Sequence, residues 1–421
     1  VKRIELEIKA LSPLAVGRQK PGGSVSEADD YISGRVIRGA IANQILKQSG
    51  KQFDDLSKSE DGGDFQALFL SDEPAIFTNG YPAALIIKGK IVPQDRIEEV
   101  KFLPATAVSS KTKSGFTTSK PPNNGVFDSL IDRLCSEYYG YVYDPNCPID
   151  GGRVEPFSSF YTKFNQKYYS LSVDKRLLTR VGINRKRATS EEEILYSIEV
   201  LNESESKGNN PKPVIYKSAV IIEDKLADSL YGFIDSRRHN FRLGGSTSRG
   251  LGKVEINAKK PVEFKPSVED KVKEFTNKLK QRLNRWSVFG NPIREIPENK
   301  FYFTIDLQSD AILIEKWRCT TVISEAMLKQ FTGVEADVKL EAAYSSYDYR
   351  SGWNSAWGLM KDVESVTNKG AVYLFSTTQP ESWYETLAKL ELTGVGEKTC
   401  EGFGQIEICD DFHLIFRENA K

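Results

Sequence analysis

Two glycine-rich segments, GGSTSRGLG at Gly244–Gly252 and GVGEKTCEGFG at Gly394–Gly404, restrict the folding of this chain more than any other feature. Each runs into a short alternating strand, Lys253–Ile256 in one case and Gln405–Ile408 in the other. Each follows a predicted helix, Asp224–Asp235 or Glu381–Leu390, which itself follows a β-prone run, Val214–Ile222 or Ala371–Ser376. A unit of strand, helix, glycine loop and strand therefore occurs twice. Glycines let a backbone adopt positive φ and turn successive N–H groups towards an anion. The spacing fits neither GxxxxGK followed by Ser or Thr, nor GxGxxG opening a helix directly after a strand, so both nucleotide-binding motifs are rejected. A tight turn without a ligand is the plainer alternative.

With 421 residues, 39% of them apolar, the chain can build two or three cores of ordinary size. No run reaches the roughly 18 apolar residues of a membrane span, and the chain enters a strand directly, so a cytoplasmic protein without membrane contacts is expected. Five cysteines, Cys135, Cys147, Cys319, Cys400 and Cys409, form an odd set without CxxC spacing. That argues against a disulfide framework and a complete zinc site. Lys+Arg and Asp+Glu are equal at 58 each, yet the cations cluster. They gather at Arg176–Arg187, at Arg237–Lys253 and along Lys271–Arg285. Such patches beside glycine loops point to nucleic acid, although a charge run is often only a solvated face.

Lys2–Ala10 alternates as a half-buried strand, with Ile4, Leu6 and Ile8 on one face. A helix is predicted from Gly34, where Val36, Ile37, Ala40, Ile41, Ile45 and Leu46 recur at helical spacing. Arg35 and Arg38 lie in its first turn, where the helix dipole disfavours cations unless an anion sits nearby. A phosphate fits that position; pairing with the acidic loop Glu27–Asp30 is the alternative. Residues 101–170 lose any period and read as an insertion with mobile loops. Residues 177–201 read as a long hairpin with a basic tip. Ser267 and Asp270 resemble a capping box opening a basic linker helix within 261–295, with Val268, Val272, Phe275, Leu279, Leu283 and Trp286 striping one face. Alternation restarts at Phe301–Leu307, and a helix is predicted over Ser324–Phe331, ended by Gly333.

Each half thus reads as strand, helix, strands, helix, glycine loop, strand. That is the order of the ferredoxin-like or RNA-recognition-motif type of split βαβ fold. The expected fold class is α+β, with tandem domains at 1–260 and 296–421, the first swollen by insertions. Two such domains offer sheets and a cleft to single-stranded RNA.

The glycine loops LGGSTSRGLGKV and GVGEKTCEGFGQI, the helix start YISGRVIRGA and the hairpin TRVGINRKRAT…ILY together resemble the CRISPR-associated RAMP superfamily. The segments ALFLSDEPAIFTNGYP, FLPATAVSSKTKSGF and SGWNSAWGLMK are similar to one branch of it, the Csx-ten family of type III-D effector complexes. The resemblance implies a non-catalytic subunit of the Cas-five group in an antiviral ribonucleoprotein. Such a subunit holds the 5′ tag of the CRISPR RNA (crRNA) and contacts target RNA, other effector subunits and the large polymerase-like subunit. It further implies an RNA path along Gly34, Arg35, Arg38 and Gly39, and phosphate contacts from Gly244, Gly245, Ser246, Thr247, Arg249, Gly250 and Gly252. Arg180, Asn184, Arg185 and Arg187 then belong to a thumb-like hairpin. Relatives often carry a cysteine-rich, zinc-ribbon-like insertion; here only Cys135 and Cys147 stand in that region, and two ligands cannot close a zinc site. No metal or other cofactor is expected.

Two catalytic alternatives stay open at this level. Backbone subunits of similar complexes place an aspartate where Asp29 and Asp30 lie, and a carboxylate there can assist Mg2+-dependent cleavage of target RNA. A CRISPR-RNA-processing endoribonuclease usually needs a histidine, and only His239 and His413 exist. Of the two glycine loops, the first carries hydroxyls and Arg249, whereas the second carries Glu397, Cys400 and Glu401. The first is therefore expected to meet RNA and the second to pack against protein.

Overall fold

The computed structural model describes residues 1–18, 27–49, 59–87, 90–184, 189–205, 211–293, 299–354 and 359–421. The expected strand at Lys2–Ala10 is central to the first sheet. It lies between Ile215–Ile222 and Val254–Ala258, and the short strands Ile76–Phe77 and Tyr81–Pro82 add to the outer edge of Ile215–Ile222. Neighbours run antiparallel. Ile4, Leu6 and Ile8 turn under the helices Gly34–Ser49 and Asp224–Ser236, against Ile37, Ile41, Leu230 and Ile234. Burying each such side chain contributes about 1.5–3 kcal/mol. The opposite face carries the half-exposed charges Arg3, Glu5 and Glu7.

A second sheet repeats this order with Phe301–Leu307 and Val372–Thr377 at its centre, Ile406–Ile408 on one edge and Lys339–Tyr344 on the other. Numbered along the chain, its four strands lie in the order 4-1-3-2, as do their counterparts in the first sheet. The predicted helix after Ser324 is present at Glu325–Thr332: the Ser324 side chain accepts from the Met327 amide, and Gly333 closes the helix in the left-handed region.

Both faces of the second sheet are covered. Phe303 packs on Phe375 and Trp383 on one side. On the other, Thr276 Oγ1 donates to the Tyr302 carbonyl at 3.0 Å and accepts from the Tyr302 amide at 2.9 Å. Thr276 belongs to the helix Glu269–Trp286, which the sequence reading makes a linker. In the structure its stripe of Val272, Phe275, Leu279 and Leu283 is core, shared with the helix Leu130–Tyr139. Its cations are also engaged: Lys271 with Glu391 and Glu407, Arg282 with Asp132 and Glu418. The capping box is not formed, because Val268 occupies the cap position and no side chain bonds there.

Residues 101–170 are likewise no set of loose loops. They form short ladders, Ala107–Ser110 with Val126–Asp128 and Val154–Pro156, and Phe160–Phe164 with Lys167–Leu171. Cys135 and Cys147 are buried there as free thiols, and no group of metal-binding side chains occurs among the described residues. His413 is fully buried between this region and the second sheet, with Nε2 2.9 Å from Asp306 and Nδ1 3.2 Å from Asp128. Burial disfavours the imidazolium, but the two carboxylates outweigh it and hold its pKa well above the usual histidine range. No described helix is long and apolar enough to cross a membrane.

Candidate nucleic-acid interface

The two glycine loops have one backbone. Gly244–Gly252 aligns residue for residue with Gly396–Gly404, and each encloses a short 3₁₀ turn, Thr247–Arg249 or Thr399–Glu401. The non-glycine residue before that turn is left-handed in both, with φ of 54° at Ser246 and 56° at Lys398. Each loop is also tied to the segment after the first strand of its own half. Gly245 N donates to the Ala15 carbonyl at 2.8 Å, and Glu397 N donates to the Ile312 carbonyl at 3.0 Å.

Their outer edges differ. The second loop is seated on the start of the helix Gly34–Ser49. There Asn79 Oδ1 accepts from the Gly34 amide at 2.8 Å, while Asn79 Nδ2 donates to the Gly402 carbonyl at 3.0 Å. A Cβ at Gly34 would fall 2.1 Å from the Phe77 carbonyl oxygen and 2.7 Å from that of Glu401, so only glycine fits. The Glu401 carbonyl thus faces the electropositive end of a helix, while its carboxylate lies 3.6 Å from Lys361 Nζ. At the equivalent place in the first loop, Gly250 has nothing within 4 Å of a Cβ, and Thr247, Ser248, Arg249 and Gly250 are exposed.

The free loop presents open hydrogen-bond donors. Ser246, in the left-handed region, precedes a right-handed turn, and among the described residues the amides of Ser246, Thr247 and Ser248 make no backbone hydrogen bond. Gly245 and Gly252 donate inward, to Ala15 and Pro13, so the glycines shape the loop and the amides between them face out. Arg249 lies over the Tyr196 ring at 5.4 Å and donates to its hydroxyl. Tyr196 stands opposite Arg180 in the hairpin Lys175–Asn184 with Thr189–Leu201. Leu14 pairs with Leu201 and Ala15 with Gly245, so two adjacent residues hold hairpin and loop side by side. Arg242 and Lys253, exposed partners in a bridge, extend the basic strip. Among the described residues no carboxylate pairs with Arg180, Arg242, Arg249 or Lys253. Arg185, Arg187 and the Asn184 side chain lie outside the described residues.

Arg35 and Arg38 are placed differently from the expectation. Neither pairs with the acidic loop. Arg35 Nη1 donates to the Ser351 carbonyl at 3.1 Å, and Arg38 Nη2 donates to the Phe69 carbonyl at 2.7 Å with its guanidinium over the Phe69 ring. Both fasten the first helix to its neighbours. Gly39 is exposed on that helix.

Asp29 is buried, 5% exposed, and paired with Arg350 Nη1. Arg350 also holds Asp310 through Nε at 3.0 Å and Nη2 at 2.6 Å, which bridges the two halves. Burial opposes ionisation of Asp310, but Lys369 and Arg350 outweigh it and lower its pKa. Asp30 is exposed and paired with Lys175. His239 is exposed, 4.0 Å from Glu255, and His413 is sealed in the core.

Tyr196, Asn79 and Arg350 escaped the sequence reading. An aromatic in a basic hairpin was the available signal for Tyr196; nothing local marks Asn79 or Arg350, whose partners are distant along the chain.

A sequence profile described as the RAMP superfamily matches residues 7–255. A search of curated proteins finds no match. Among solved structures, a chain of the type III-B Cmr-beta complex bound to cognate target RNA and AMPPnP aligns at 13% identity. That alignment covers 88% of this chain and 86% of that one, with a TM-score of 0.39. A chain of a type IV-B CRISPR complex aligns at 13% identity over 63% of this chain and 94% of that one, with a TM-score of 0.25.

Proposed function

This chain belongs to the RAMP superfamily, and from that premise we propose that it is an RNA-binding structural subunit of a CRISPR effector complex. The carrying observation is the pair of glycine loops: one is used inside the chain, whereas its structural twin is free, basic and lined with open amides. Phosphate is the ligand that such a loop recognises, through amides, hydroxyls and a guanidinium together. Arg180 and Tyr196 on the hairpin supply a second cation and a ring on which a base can stack.

In the finer form of this reading, both halves are ferredoxin-like RAMP domains. The chain is a Csx-ten type subunit of a type III-D complex that holds the 5′ tag of the CRISPR RNA beside the large subunit. The residues in contact are Arg180, the loop Gly244–Gly252 with Arg249, and the hairpin tip. Arg35 and Arg38 serve the RNA path indirectly, by fixing the first helix. Cleavage at Asp29 and Asp30 is the weaker reading, because Asp29 is buried under Arg350 and Asp30 is held by Lys175.

The test is co-expression with companion effector subunits and a CRISPR array, followed by purification and RNA extraction. The chain with Arg180→Ala and Arg249→Ala is expected to retain much less guide RNA. Undiminished retention contradicts the reading, and target cleavage lost on Asp29→Ala with Asp30→Ala replaces it with the catalytic one.

A further inference from the structure

The hairpin Leu313–Glu315 with Arg318–Thr320 turns through Lys316 and Trp317 alone. Both have positive φ, 48° and 65°, which makes a mirror-image turn that ordinarily favours Asn-Gly. A tryptophan is a poor choice for that conformation, and its ring is 100% exposed. The fold therefore gains neither burial nor ease of turning from this residue, a pattern that directs attention to function.

Lys316 and Arg318 flank the ring, both exposed, and among the described residues neither has an ion-pair partner. Glu315, the neighbouring carboxylate, is turned away to accept the Ser324 hydroxyl at 2.6 Å. The base of the hairpin is firmly held: Ala311 pairs with Thr367, and Ile312 pairs with Glu397 of the second glycine loop. The indole thus stands at the tip of the hairpin, next in sequence to two exposed cations, on a stalk bridged to Thr367 and to the second glycine loop.

We propose that Trp317 is a stacking platform for a base of single-stranded RNA, with Lys316 and Arg318 contacting the adjacent phosphates. Every base presents a π face, so one ring suffices, and the flanking positive charges match the backbone on either side. A protein partner of ordinary interface size needs a contiguous surface of about 800 Å² on this side, whereas the exposed large apolar side chains of this hairpin are Trp317 and the 43% exposed Ile314, beside charged neighbours. This site lies apart from the first glycine loop, so the two succeed or fail separately.

The experiment uses the full chain and a single-stranded RNA oligonucleotide carrying 2-aminopurine. Trp317→Ala, a change at an exposed turn, is expected to weaken binding about tenfold, equivalent to about 1.4 kcal/mol. It also abolishes stacking-induced quenching of the probe. Trp317→Phe keeps a ring and retains most of both signals. Equal binding and quenching in the wild type and Trp317→Ala overturn the proposal, even if Arg249→Ala weakens binding in the same assay. Shielding of Trp317 fluorescence by companion subunits but not by RNA overturns it in favour of a protein interface.

Discussion

The two halves share a strand order and a loop, yet they use both in opposite ways. In the second half the glycine loop is pressed onto Gly34 and Asn79, and both sheet faces are covered. In the first half the same loop is free and basic, and one sheet face keeps its charges. The backbone alone therefore does not determine what such a loop binds. Glu401 suits a helix N-terminus, whereas Arg249, at the equivalent position of the same turn, suits a phosphate.

The comparison can be broken first at the joint. Arg350→Met should leave Asp29 and Asp310 buried without their counter-charge and lower unfolding stability in denaturant titrations by about 3–5 kcal/mol. Gly34→Ala, which drives a methyl group into two carbonyl oxygens, should lower it by about 2–3 kcal/mol. Gly250→Ala tests the free twin, where only the positive φ resists a side chain, and should cost about 1 kcal/mol. Equal losses at Gly34 and Gly250 would remove the distinction between docked and free loops.

A smaller effect concerns the sealed sheet. The folded-state pKa of His413 lies above its unfolded value of about 6.5. The stability that its charge contributes is therefore complete below about pH 6.5 and is lost as the pH rises through the folded value. Thermal unfolding between pH 6 and pH 9 should show this decline, and His413→Asn should flatten it while lowering the baseline.

Much of this was legible in the sequence because it is periodic or local. The alternation of Ile4, Leu6 and Ile8, the stripe along Val272–Leu283 and the helix ended by Gly333 each signal through near neighbours, and each is found where the pattern puts it. What the pattern lacks is the partner. The Val272–Leu283 stripe reads equally well as a linker face or as the cover of a sheet, and the structure makes it the cover. Arg35 in a first turn reads as a phosphate ligand until the Ser351 carbonyl, 316 positions away, is placed against it. The pairing of Asp29 with Arg350 is likewise long-range, and it is this pairing that buries the acidic loop residue proposed for catalysis. The difference in charge between the two loops was readable because it lies within nine residues, and the second loop is found packed against the chain as that difference suggests.

The most direct test measures binding of fluorescent repeat-derived RNA against salt concentration for the wild type, Arg249→Glu and Lys398→Glu. The two variants change charge equally, one on each loop. Phosphate contacts release counterions, so Arg249→Glu should weaken binding and reduce the salt slope by about one. Lys398→Glu should leave both nearly unchanged. Equal effects from the two substitutions, or none from Arg249→Glu, would contradict the account.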